Sequence, residues 1–171
     1  MMNENIIKIP ANNEEINLYP SLGEALIKTQ VVEQALSHSI TLKMNPDETK
    51  ERAEEFLRRK QRYTLGQAIK VAKEEKLYNL SLQEEINAFL EQRNWLVHKV
   101  ICGNEEDFNS GIIKKELLER IYSISDKAEI IHGRIEYDLI DFCSSKGNDM
   151  SNIRSLLDLQ DKGIRVRNEI R

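Results

Sequence analysis

The chain of 171 residues predicts an all-α protein: an antiparallel helical bundle of five to six helices, with one long helix over about 112–146. Three observations carry this expectation. All three prolines, Pro10, Pro20 and Pro46, lie in the first third, so everything after Pro46 is free of the strongest helix breaker. Apolar residues recur at spacings of three and four, with no alternating stretch of strand type to compete. Helix starts are written four times in side chains that satisfy orphan backbone donors: Ser21 with Glu24, Asn45 with Pro46 and Glu48, Thr64 with Gln67, and Ser81 with Glu84.

From these starts a first helix is predicted over 21–43, with Leu22, Ala25, Leu26, Val32, Ala35, Leu36 and Ile40 near one face. A second follows over 46–62, Pro46 falling where its missing N–H costs nothing. A third runs over 65–76 and a fourth over 82–102. The stretch GNEEDFNSG, 103–111, with a glycine at each end and acids and amides between, reads as an exposed, mobile loop. Beyond it Ile113, Leu117, Ile121, Ile124, Ala128, Ile131, Ile135, Leu139 and Phe142 give the strongest helical period in the chain. At about 1.5 Å per residue this helix is roughly 50 Å long. Gly147 is placed to end it as a C-cap, and Ser151 to open a weaker last helix. The resulting organisation is an irregular arm over 1–20, a bundle over 21–147 with the first, fourth and fifth helices as its antiparallel core, and a C-terminal helix or tail over 148–171.

Composition excludes several classes. With 40% hydrophobic and 32% charged residues the chain is globular, its charge spread over helix surfaces. A formal net charge of −4 argues against a whole surface built to trap polyanions, although a local basic patch is compatible with it. The two cysteines, Cys102 and Cys143, lack metal-ligand spacing and read as reduced, partly buried thiols of a cytosolic protein. The beginning, MMNENIIKIPANNEEINLYP, carries acids and no apolar core, unlike a signal peptide. No run approaches the roughly 18 consecutive apolar residues of a membrane span. A cytoplasmic protein away from membranes is expected. Nor is a metal or cofactor: His132 and Glu136 stand at i and i+4 without a third ligand, and no glycine-rich phosphate loop, nucleophile constellation or zinc-finger spacing occurs.

One stretch reads as chemistry. RNWLVH, Arg93 to His98, lies inside the amphipathic run SLQEEINAFLEQRNWLVHKVI. At about 100° per residue, with Arg93 as zero, Ile86, Val97 and Leu90 fall at roughly 20°, 40° and 60°, and Asn94 and His98 at roughly 100° and 140°. Arg93 thus points along the apolar stripe, and Asn94 and His98 line its border. Trp95, at about 200°, is expected to pack on a neighbouring helix or subunit rather than on a base. The trio suits scission of a phosphodiester. Histidine exchanges protons near neutrality, a guanidinium fork offsets charge building on phosphoryl oxygens, and an amide orients either one. RNA supplies its own nucleophile, the 2′-OH. A second acid or base would come from a second His98 in a symmetric dimer. The same Arg and His also read as a snorkelling stem and a satisfied imidazole of an ordinary bundle.

RNWLVH resembles the Arg-x4-x6-His motif of the HEPN superfamily, all-α domains in which a polar residue, often Asn, follows the arginine. The segment TLGQAI over 64–69 and the first helix, GEALIKTQVVEQAL, also resemble bacterial HEPN-type proteins, so the likeness covers roughly 21–142. It implies a metal-independent endoribonuclease, a homodimer with the motif helices facing a shared cleft, acting as a toxin or in phage defence with an antitoxin or regulatory protein as partner. It makes Arg93 and His98 catalytic and Asn94 their support. The position two after the histidine is Val100, where HEPN toxins neutralised by tyrosine modification carry Tyr, so that control is not expected here. Arg58, Arg59 and Arg62, in RRKQR, are candidate RNA-phosphate contacts, although the compensating acids before them favour a solvated helix face. Because the superfamily includes members that bind without cleaving, the alternative is a non-catalytic regulator or an RNA- or protein-binding module.

Overall fold

The computed structural model describes residues 10–46, 55, 65–110 and 112–164, and among them it holds six α-helices and no strand. Helix α1 is Asn13–Met44. It starts where Asn12 Oδ1 accepts the Glu15 amide at 2.7 Å, with Glu14 and Glu15 in the first turn suiting the positive end of the helix dipole. The expected irregular arm is therefore helical from Asn13 onward, and Leu18 is buried in the core. Pro20 is tolerated inside the helix because it is exposed, as is Ile16, whose carbonyl loses a ladder donor on the water side. Ser21 is buried within α1 rather than capping it.

The predicted helix over 46–62, with Arg58, Arg59 and Arg62, lies outside the described residues apart from Pro46 and Glu55. Helix α2 is Leu65–Glu74, and α3 is Leu80–His98. Asn79, not Ser81, caps α3: its Oδ1 accepts the Leu82 amide at 2.9 Å. The stretch expected to be an exposed loop instead contains a short helix, α4, Glu105–Ser110, whose Asp107 is buried. Asp107 accepts both the Lys114 backbone N–H at 3.1 Å and the Lys114 ammonium at 2.8 Å, and these bonds hold its carboxyl below the usual carboxylate range. Phe108 packs against the core beside it. Helix α5, Lys115–Ser145, matches the predicted long helix, but α1 is equally long, at 32 residues against 31. Gly147, at φ 88°, closes α5 as foreseen, its N–H on the Ser144 carbonyl and that of Asn148 on the Cys143 carbonyl. Helix α6, Ser151–Asp161, buries no residue and is held to α5 by Tyr137, whose hydroxyl lies 2.9 and 2.7 Å from the Asp158 and Asp161 carboxylates.

Cross-helix pairs fix the directions. Glu24 meets Ser125, Lys28 meets Glu129 and Lys43 meets Asp138, so α1 and α5 run the same way. Glu85 meets Arg134 and Trp95 meets Arg120, so α3 runs against α5; Glu33 meets Arg93 and the Leu77 carbonyl meets Lys43, so it also runs against α1. Three helices in mutual contact cannot all be antiparallel, and here the two longest share a direction. Their core is Ala25, Val32 and Leu36 of α1, Ile86 and Phe89 of α3, and Ile121, Ala128 and Ile135 of α5, all essentially without solvent contact. No helix of the described residues is long and apolar enough to cross a membrane.

Candidate functional site at the end of helix α3

Helix α3 buries Leu82, Ile86, Phe89 and Leu96, and Val100 just beyond it. On the projection with Arg93 at zero these centre near −20°. The stripe is thus turned away from Val97, which is 40% exposed where the sequence reading had it inward. Arg93 does lie on the stripe, as expected, but Asn94 and His98 are then roughly 120° and 160° from its centre. His98 therefore points almost opposite the core, rather than lining its border. It is exposed, is the last residue of α3, and has no hydrogen-bond or ion-pair partner among the described residues.

A charge on a buried stripe needs a partner, and α1 supplies it. Arg93 Nε donates to Glu33 Oε1 at 2.8 Å, the two side chains being 23% and 30% exposed. Its Nη1 donates to Asn94 Oδ1 at 3.3 Å. The guanidinium is thus anchored at its inner edge by a carboxylate and leans round the helix toward Asn94. Of its five N–H donors, two are engaged among the described residues, and the other three point to no acceptor there. Asn94 and His98, at i and i+4, share one side of the helix. The fold brings Arg93 and Asn94 into contact and leaves His98 one turn further out.

Trp95 is half-buried against the core, with the Arg120 guanidinium 3.7 Å from the centre of its ring. This is the neighbouring-helix packing expected of it. The Arg120 stacking fixes the α3–α5 crossing immediately behind Asn94. Neither Glu33 nor Arg120 was visible as a site residue in the sequence. Glu33 lies 60 positions from Arg93, in a chain where acids are common, and no local pattern joins them.

Compared with family models, curated proteins and solved structures, the chain matches none. The site therefore stands on its own geometry. Two cavities, of about 600 Å³ between α5 and α6 and about 320 Å³ between α3 and α5, are lined by residues other than Arg93, Asn94 and His98. Among the described residues no three of His, Cys, Asp and Glu gather as metal ligands, and His132 Nε2 lies 3.3 Å from Glu136 Oε1. What the α3 terminus offers is an open edge: a fixed guanidinium with spare donors, an amide and a solvent-facing imidazole. Such an edge can neutralise an anion and exchange a proton, and it suits a polymer lying across the surface better than a small molecule held in a pocket.

Proposed function

We propose that the protein is an endoribonuclease of HEPN type, a cytoplasmic homodimer acting as a toxin or phage-defence effector. One observation supports this above the others: the Arg93 fork is tethered through Nε to Glu33 and through Nη1 to Asn94, and Asn94 stands about one turn before an exposed His98 that has no partner among the described residues. In this reading the free N–H groups of Arg93 hold the scissile phosphate and stabilise charge on its oxygens. His98 takes the proton from the 2′-OH or gives one to the leaving 5′-oxygen, and Asn94 keeps the guanidinium turned outward. One imidazole cannot be base and acid at once, so the second role falls to His98 of a second copy. The attacking group belongs to the RNA, and the reaction therefore does not call for a metal.

The Glu33–Arg93 ion pair favours a second reading as well, a non-catalytic bundle that binds RNA or a protein, because a carboxylate that neutralises Arg93 also makes it a structural tie between α1 and α3. The experiment is cleavage of a mixed RNA pool in excess chelator by the wild type, Arg93→Ala and His98→Ala. The expected result is cleavage leaving 2′,3′-cyclic phosphate ends, reduced at least about 100-fold in His98→Ala, the size of a lost general acid or base. Folded protein that leaves RNA intact in every sample rejects the nuclease in favour of the binding module.

A further inference from the structure

The outward face of α1 differs from the rest of the surface. At about 100° per residue, Ile16, Gly23, Ile27 and Gln34 fall within about 20° of a single line, and Tyr19, Gln30, Val31 and His38 within about 60° of it. From Ile16 to His38 that face carries no Asp, Glu, Lys or Arg, in a chain of which 32% of residues are charged. The charged neighbours Glu24, Lys28 and Glu33 are turned roughly 80° to 120° from that line and are used there, Lys28 by Glu24 and Glu129, and Glu33 by Arg93. Ile16, Tyr19 and Ile27 are 59%, 69% and 63% exposed, and Leu26 and Val31 more than a third. At roughly 200 Å² per large side chain this is on the order of 500 Å² of apolar surface, the upper range for a patch on a monomer. It is also about the apolar share of one side of a standard interface, roughly 60% of about 800 Å².

We propose that a second copy of this chain covers this face, the two α1 helices packing antiparallel about a two-fold axis at Ile27. Four features favour a second copy over another partner. The face is uncharged, so it can meet itself without repulsion although the chain carries a net charge of −4. Positions equally displaced on either side of Ile27 come to the same level, which sets Gly23 beside Val31, small against large. A Cβ built on Gly23 would meet nothing within 4 Å, so there is room for Val31. On one flank Glu24 and its symmetry copy stand about 9 Å apart along the axis, and each is paired with Lys28 of its own chain rather than left as a bare carboxylate. Because α3 lies along one flank of α1 and α5 along the other, such an axis puts both α3 helices on the same side of the pair, and their His98-bearing ends border one groove. This last consequence rests on the nuclease reading; the interface itself does not.

The test is light scattering after gel filtration of the full chain. The wild type is expected to be a dimer at micromolar concentration with a melting temperature that rises with concentration, and Ile27→Glu a monomer of unchanged helicity whose melting temperature does not depend on concentration. Ile130→Glu, on exposed α5 surface, is expected to remain a dimer. With Cys102 and Cys143 both replaced by Ser, Ile27→Cys is expected to form an intermolecular disulfide on mild oxidation and Ile130→Cys not to. A monomeric wild type, or a dimer that survives Ile27→Glu, overturns the interface. If RNA is cut in a His98-dependent way by a monomeric wild type, the interface fails and the nuclease stands. If Ile27→Glu abolishes the dimer but His98-dependent cleavage continues at the wild-type rate, the interface stands and the shared groove fails.

Discussion

Lys76 holds a backbone φ of 52°, the left-handed region that an L side chain enters at a cost. It does so to end α2: its N–H reaches the Lys73 carbonyl at 3.3 Å, and the Leu77 N–H reaches the Ala72 carbonyl at 2.9 Å, the bonding that Gly147 and Gly163 provide after α5 and α6. Lys76→Gly is therefore expected to stabilise the protein. The steric cost is about 1 kcal/mol, part of which glycine returns through its freer unfolded chain. A gain of roughly 0.5 kcal/mol raises Tm by about 1–2 °C in a chain of this size, measurable by thermal melting. A fall in Tm would show that the lysine side chain contributes more than its backbone costs. Residue by residue, the sequence disclosed Arg93 as a charge on a packing stripe and Gly147 as a terminator, because each breaks a local pattern. It did not disclose Glu33 or Lys76, since a partner 60 positions away and a strained lysine leave no mark on their neighbours.

Where a helix begins is a contest among nearby caps, and α3 shows how it is decided. Ser81 with Glu84 has the side chains of a capping box, yet Asn79 wins. Starting there lets the Asn79 carbonyl accept the first ladder bond from Gln83 at 3.0 Å while Leu82 and Ile86 fall inward. Periodicity was legible in advance to within a turn for α2, α3 and α5; the start of α1 was not, because Pro20 reads as a breaker until an outward position makes it tolerable. Asn79→Ala is expected to cost about 1 kcal/mol, the usual value of a lost N-cap, lowering Tm by about 2–4 °C. Ser81→Ala, whose hydroxyl only accepts a long 3.4 Å bond from Arg134, is expected to shift Tm by less than a third of that. Equal effects in the two variants, compared by circular dichroism melting, would place the effective cap at Ser81 instead.

On the scale of the whole molecule, the unforeseen feature is that α1 and α5 run parallel, and Lys43 locks that arrangement. Its side chain is 5% exposed; the ammonium pairs with Asp138 of α5, donates to the Leu77 carbonyl before α3 at 2.8 Å, and lies 4.3 Å from the centre of the Tyr78 ring. Three segments distant in sequence thus converge on one buried cation. Periodicity reveals that α1, α3 and α5 each have an apolar face, but it carries no information about direction, which depends on such long-range pairs. A buried pair adds little over an apolar replacement, whereas an orphaned partner is costly. Lys43→Met leaves Asp138, 23% exposed, beside aromatic rings without its cation, and is expected to cost about 3 kcal/mol. Asp138→Leu leaves the more deeply buried ammonium with only the Leu77 carbonyl and the Tyr78 and Phe142 rings, and is expected to cost at least as much. In the double variant neither charge is orphaned, so its loss should be well below the sum of the two. Denaturant unfolding of the four proteins measures the coupling directly. If the losses simply add, the pair does not act as a unit, and the parallel packing of α1 on α5 owes its direction to the apolar core alone.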